Sequence, residues 1–519
     1  MKIMRYLRKK ITSLICMSAL TAGILAGCGN SKFVSSEPDK DAAALSGAPV
    51  ELKVVLGYQD ELPPDNHIIV KELDKLANAV INIEWTPLIS YNDKFNVMMS
   101  SNALPDVILI PDTKMTVYVN GVNAGMFWEI GLRINDYKYL REINPLLITN
   151  ASMGGKLYII PRERALKRKM VAYRSDWAKV AGLPPPDSID NLYNMAKTFG
   201  TGDFDKNGEK DTIGLALGTV NTNEIDAFDA LVTAFGGVNR WGLKDGRITP
   251  GFMTPEYLKT LKWLRKMYLE ELISPDFAIT KTTQIISELV DRERTGLWLS
   301  YMMPGLTDPL LKQKQQSEPG LTRSDIYNFA FLKGPEGKER IAAESGFNGG
   351  FAFPVQTVKN EARLNHLLGV FNMISSPEGQ RLVGNGIEGL HYDVIDGKYA
   401  KVINPDLFKR DAVSSIGQLG TSGTYMYSFA NDELALNLSL SRADIKNSEM
   451  IPDLAVPLFS ESYSANKANL DKIINEAMIN FIMGNIDEAQ FDKAVVQWQK
   501  IGGNKVIEEY WNSSLKMVN

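Results

Sequence analysis

Between Gly202 and Leu215 the chain reads GDFDKNGEKDTIGL, with acids on every second residue and a glycine behind an asparagine. Asp203, Asp205, Asn207, Glu209 and Asp211 stand at the spacing by which the first nine positions of an EF-hand loop hold calcium, with Gly208 at the sharp turn. The side chains of Asp203, Asp205, Asn207 and Asp211 would supply oxygens, and Glu209 its backbone carbonyl. Calcium takes about six to eight hard oxygen ligands, whereas magnesium wants a stricter octahedron and keeps its water. Three clustered carboxylates repel one another without a cation, so the ion gives the pattern a reason. Two departures stand against it. The twelfth position is Gly214 where the bidentate glutamate belongs, and the tenth is the neutral Thr212. The alternative is an Asx-rich turn held by its own side-chain to backbone bonds. If bound, the ion is structural and pins the preceding helix to the apolar run from Ile213.

Catalytic chemistry has little to build on. The histidines His67, His366 and His391 are scattered, and no H-E-x-x-H, G-x-S-x-G or P-loop pattern occurs. Two carboxylates suffice for a glycosidase, so spacing alone does not exclude one among 61 acids. The reading is a protein that is not an enzyme.

The elements around the acidic loop alternate. ELKVVLG, INIEWTPL and LPDVILI read as strands, and the stretches opened by Pro64 and Asp65 and starting from Tyr91 read as helices. That order predicts βαβ units and a parallel, helix-covered sheet. Further strands are expected at MVAYR, TIGLALG, TGLWLSY, YNFAFLKGP and GGFAFPV. Thr254 and Pro255 mark the start of an amphipathic helix. Three helices punctuated by Gly484 and Gly502-Gly503 close the chain. A chain of 519 residues exceeds one compact core and calls for two or three packing units.

The N-terminus carries a different message. Lys2, Arg5, Arg8, Lys9 and Lys10 precede the apolar run Ile11 to Leu25, which is short for a bilayer span and reads as an export signal. It ends in LAGC, which resembles the bacterial lipobox, with Cys28 as the lipidated residue after removal of residues 1–27. Each buried methylene contributes roughly 0.8 kcal/mol and anchoring takes about two chains, so a diacylglyceryl group tethers the protein to the outer face of a membrane. Cys16 leaves with the signal, so the mature body has no free thiol and no disulfide. Five basic residues leave with it and no acid, which moves the net charge from −4 to −9 and argues against nucleic acid. Residues 28–50 are small and polar, a flexible stalk suited to a thick Gram-positive wall.

Several stretches in order, SSNALPDVILI, GGKLYIIP, YRSDWAKVAGLPPPDSIDNLYNMAKTF, the acidic loop, GIEGLHYDVIDGKY and FIMGNIDEAQFDKAVVQWQKIGGNKVIEEY, resemble the extracellular solute-binding lipoproteins of ABC transporters. The likeness is to their large oligosaccharide-binding group, with alginate-binding and LipO-like members. It implies a type II periplasmic-binding-protein-like α/β fold with two discontinuous lobes, a hinge and an interlobe cleft. The lobes expected are 51–164 with 340–402, and 165–339 with 403–519. The implied function is capture of an oligosaccharide, as a monomer, for delivery to a membrane permease. The alternatives are a sugar-sensing or adhesive lipoprotein, with glycosidase a weaker reading.

Sugar clefts pair flat aromatic platforms with planar polar groups. Trp298, Tyr425 and Tyr427 lead the aromatics on strand ends and irregular stretches. Tyr301, Trp85, Tyr91, Trp128, Tyr158, Tyr173 and Tyr392 fit the same description, with Arg174 and His391 as polar partners. Trp263 and Trp498 lie in amphipathic helices and read as core. The basic run RERALKRKM, Arg162 to Met170, favours uronate chains if it faces the cleft and is otherwise a solvated face.

Overall fold

The computed structural model describes residues 47–59, 61–65, 67–220, 224–285, 290, 292–301, 308–397, 399–411, 413–429 and 448–517. The expected signal segment, Cys28 and most of the expected stalk lie outside the described residues. Among those described, no helix is long and apolar enough to cross a membrane.

The first strand, Val50–Tyr58, runs parallel to Ala79–Pro87 on one side and to Val107–Ile110 on the other. Regular strand thus begins at Val50, inside the last position of the expected stalk. The helix between the first two strands spans Ile68–Ala77, and its N-cap is His67, whose Nδ1 accepts the Ile69 N–H at 3.2 Å. Pro64 and Asp65 therefore precede the helix and do not open it. Val107–Ile110 is buried at every position, as a central strand covered on both faces requires.

Two more strands complete this sheet, Phe347–Ala352 and Ile159–Glu163. Phe347–Ala352 lies antiparallel to both of its neighbours, so the sheet is mixed and not the all-parallel one expected. The strand enters from far along the chain, which removes the crossover helix that would enforce parallel pairing. Gly349 takes φ +64°, and a Cβ there would lie 2.0 Å from the Ile110 carbonyl oxygen, so glycine is needed for this approach.

A second sheet sets Lys169–Arg174 between Leu297–Tyr301 and Tyr327–Ala330, all antiparallel. Its core takes in Leu192, Met195, Phe199, Leu261, Leu264, Phe481 and Phe491. TIGLALG forms no continuous strand; it makes single bridges, Ile213 to Thr295, Leu215 to Ile273 and Ala216 to Trp298. The terminal helices are Glu461–Ile482, Glu488–Trp498 and Asn504–Lys516.

The first core does not end where the chain order suggested. Ile416 and Leu419 pack with Val54, Ile108 and Phe351, so segment 405–419 rests on the first sheet. Glu339–Ala342 pairs in parallel with Ser448–Ile451. The architecture is α/β, with two large hydrophobic cores on the two main sheets and, among the described residues, smaller ones around Trp298 and around Trp498.

Candidate functional site

A cleft of about 720 Å³ opens where these bodies face each other. One wall is Pro111–Thr116, which follows the central strand, together with Ser345–Gly349. The opposite wall comes from the start of helix Phe228–Ala234, the hairpin from Trp241, the stretch around Asp453 and helix Glu461–Ile482. The walls also touch directly. Lys114 Nζ donates to the Ala455 carbonyl at 3.3 Å and to that of Leu458, and the Thr116 and Ser464 hydroxyls meet at 2.6 Å.

Trp241, Phe252, Tyr257 and Tyr463 line the cleft half-buried. Buried aromatics fix them from behind. Tyr510 meets Trp241 edge-on at 4.9 Å, Trp498 meets Phe252 at 4.8 Å, and Phe228 meets Tyr257 at 5.2 Å. Held in this way, the rings offer apolar surface of the kind that stacks on sugar C–H faces.

Charge lies among the rings. Asp229 Oδ2 accepts from Lys169 Nζ at 2.6 Å and from Arg240 Nε at 3.1 Å, while Lys169 also reaches Glu344 at 3.0 Å and Arg240 reaches Glu224. Burial opposes ionisation of Asp229, but Lys169 and Arg240 outweigh it and hold the carboxyl below its ordinary range. Burial raises Glu224 despite Arg240, and raises Asp471 although the Tyr463 hydroxyl donates to it at 2.9 Å. Burial lowers Lys114 to about 8 against the pull of Asp453 and Asp112. Arg240 and Ala227 both sit at positive φ, 52° and 53°, without being glycine. Such backbone costs on the order of 1 to 3 kcal/mol and persists where surrounding structure enforces it. Both residues border Asp229.

No family model matches the chain. It is 33% identical over 506 residues to the polygalacturonan/rhamnogalacturonan-binding protein YtcQ of Bacillus subtilis, covering 96% of this chain and 97% of that one. It is 31% identical over 503 residues to the lipoprotein LipO of the same organism, covering 94% and 96%. Its fold matches an EF-hand mutant of the ABC-transporter substrate-binding protein FusA from Streptococcus pneumoniae, in complex with fructo-nystose. That match has a TM-score of 0.60 and 16% identity, over 90% of this chain and 99% of that one. The chain belongs to the extracellular solute-binding proteins of ABC transporters.

Of the twelve residues expected to bind solute, none of the eleven whose side chains are described lines the cleft of this solute-binding protein. Trp298 is 3% exposed and packs edge-on against Tyr327 at 5.9 Å, in a core with Met170 and Leu310. Leu297 and Leu299 beside it are buried as well, so the strand is covered on both faces at this point. The strand's last residue is Tyr301, whose side chain lies outside the described residues. Tyr91 is buried and donates to the Val55 and Leu109 carbonyls. Trp128 donates to Val358, while Trp85 and Tyr158 lie against the first core and Tyr173 within the second. Arg174 is fully buried, paired with Asp176 and with Glu293 at 2.8 Å, and rests on Trp177 at 4.5 Å. His391 is fully buried and bonds Asp411 at 2.9 Å and the Ile387 N–H.

Tyr392 and Tyr427 do come together, with centroids 6.0 Å apart and Arg381 over Tyr427, while Tyr425 donates to Glu142 at 2.6 Å. That group lies away from the cleft. Trp498 is core as expected and also backs the cleft, and Trp263 packs against the second core. The basic run is neither a cleft face nor a solvated one. Arg162 bonds Gln418 at 2.7 Å, Lys167 bonds Glu339 at 2.7 Å, and both are buried. Sequence reasoning missed Trp241, although its place directly after the turn at Gly236-Gly237 and Arg240 was a usable signal.

The acidic loop folds around Asn207. Asp203 accepts the N–H groups of Asn207 and Gly208, both at 3.1 Å. The Asn207 amide bridges Asp205 at 2.9 Å and Asp211 at 3.1 Å, and Glu209 N–H returns to Asn207 Oδ1 at 2.7 Å. Burial first, then neighbouring Asp203 and Asp211, raises the Asp205 carboxyl. Among the described residues no three acidic, His or Cys groups stand at metal-holding distance. Thr212 is no ligand; its hydroxyl donates to the Phe199 and Gly202 carbonyls at 2.8 Å, tying the loop to the preceding helix.

A pH prediction arises from Asp453, whose carboxyl burial pushes up to about 6 although the Ala455 N–H and Arg240 oppose it. A carboxyl raised in the folded state binds its proton more tightly than when unfolded. Its contribution is therefore complete below the unfolded value of 3.8 and is lost as pH rises to about 6. The stability gain of Asp453→Asn over the parent should thus grow between those limits and level off above them, as followed by denaturant melts. A gain independent of pH would refute it.

Proposed function

We propose that this solute-binding protein captures an oligosaccharide between its two walls and presents it to an ABC permease. The observation that carries the reading is the 720 Å³ cleft, with half-buried aromatic faces set among hydrogen-bonding carboxylates. The polygalacturonan/rhamnogalacturonan and fructo-nystose in the relatives' names support carbohydrate as the cargo. One lobe takes residues 50–163 and 347–429, the other 169–342 and 448–516. Sugar touching both lobes stabilises the closed form, and the permease reads closure. The protein acts as a monomer, binds without turnover, and is tethered through lipidated Cys28 on the outer face of the membrane, as LipO's description as a lipoprotein supports.

We also assign calcium to the acidic loop. Asp203, Asp205, Asn207 and Asp211 already gather around one amide, and mutual repulsion of the carboxylates is what a divalent cation relieves. The EF-hand in the name of the FusA structure supports this. Loading requires the Asn207 amide to release Asp205 and Asp211. The ion would brace the helix before the loop against the stretch after it.

Calorimetry of the purified protein against a panel of oligosaccharides tests the first reading. Micromolar binding with no sugar consumed over hours is expected, and shortened sugars in the effluent would overturn it. Chelation by EDTA should lower the melting temperature, and calcium should restore it. An unchanged melt would return the loop to a polar turn.

A further inference from the structure

We infer that the cleft selects neutral oligosaccharides and turns away chains of uronates. This deepens the reading of the cleft as an oligosaccharide site and rests on it. Five carboxylates line the walls, Asp112, Glu224, Asp229, Asp453 and Asp471, against Lys114, Arg240 and Lys467.

Two of the three cations in the walls, Arg240 and Lys114, are committed to protein partners. Arg240 directs Nε to Asp229 and Nη2 to Glu224, so its side edge is taken by two carboxylates of the protein. Lys114 spends its ammonium on the Ala455 and Leu458 carbonyls across the cleft. Lys467 is exposed and lies 5.9 Å over the Tyr463 ring, at the side of the cleft where Asp471 also stands. Of the densest basic run in the sequence, Lys167 pairs with Glu339, and Lys169, only 4% exposed, backs the cleft carboxylate Asp229 and bonds Glu344.

A uronate entering this space meets like charge at several points, and the guanidinium in the walls already faces two carboxylates. A neutral sugar meets the opposite situation. Its hydroxyls donate to carboxylate oxygens, which when ionised accept and do not donate, and its C–H faces lie on Trp241 and Tyr257. The same carboxylates that oppose an anion therefore hold a polyol. By this argument the chain departs from its 33% identical relative, whose name gives polygalacturonan as a ligand.

The test is calorimetry on the full-length chain in detergent. The probes are tetragalacturonate, its fully methyl-esterified form, an alginate tetrasaccharide, and neutral tetrasaccharides from galactan, arabinan, xylan, mannan and fructan. At least one neutral probe, the ester included, should bind about tenfold or more tighter than every uronate, with an affinity that changes less than about twofold between low and high salt. A uronate that matches the best neutral probe overturns this inference and leaves oligosaccharide capture standing. Failure of both classes to bind overturns both readings. Glu224→Gln removes one wall charge and loosens the hold on Arg240 Nη2, so it should raise tetragalacturonate affinity about fivefold relative to the best neutral probe. Unchanged uronate affinity in that variant would show that wall charge is not the selecting feature.

Discussion

Asp229→Ala is expected to lower folding stability by about 3 to 5 kcal/mol, the usual cost of removing one partner from a buried ion pair. The carboxyl it removes serves Lys169 at 2.6 Å and Arg240 at 3.1 Å, and Lys169 is only 4% exposed. Lys169 would keep Glu344 at 3.0 Å, and Arg240 would keep Glu224, so two cations would share the two acids that remain. Asp229→Asn keeps an acceptor and should cost less. Denaturant melts distinguish the cases, and a loss under about 1 kcal/mol for the alanine variant would show that the pair had not needed the carboxylate. The pH dependence has a fixed sign. A carboxyl lowered by folding contributes above its unfolded value of 3.8 and loses that contribution as pH falls below it. Acid should therefore narrow the gap between parent and variant.

Trp298→Ala and Trp241→Ala should separate stability from binding. Trp298 fills a closed space against Tyr327, and truncation leaves a cavity worth about 3 to 5 kcal/mol of stability. Trp241 presents part of its ring to the cleft, so its loss should weaken sugar binding by about 1 to 3 kcal/mol through lost stacking and area. Trp241→Phe keeps a ring against Tyr510 and should recover much of that affinity. Equal affinity for parent and Trp241→Ala, with folding intact, would remove the residue from the site.

That contrast shows what the sequence could reveal. Strand and helix periodicity is local, so Val50–Tyr58, Val107–Ile110 and the three terminal helices were legible from short windows. The acidic loop was legible for the same reason, since its spacing is its geometry, and Asp203 does accept the N–H groups of Asn207 and Gly208. The cleft was not, because Lys114, Asp229, Trp241 and Asp453 meet only through tertiary packing. Trp298 and Trp241 both follow glycine-containing stretches, but one falls on a strand covered from both sides. Which one becomes covered is decided by elements more than a hundred residues away, such as Met170 and Ala172. The packing of Ile416 and Leu419 with Val54 was hidden for the same reason, since nothing local marks them as belonging together.

This interleaving bears on how the chain is made. Neither core can close early: the first waits for Ile416 and Leu419, and the second for Phe481 and Phe491. A ribosome has released most of the polypeptide before either half can bury its full apolar surface. The growing chain therefore stays pliant through most of its synthesis, the state in which a polypeptide can be threaded through a narrow membrane channel. Truncation near the C-terminus, in turn, should leave the second core unfinished.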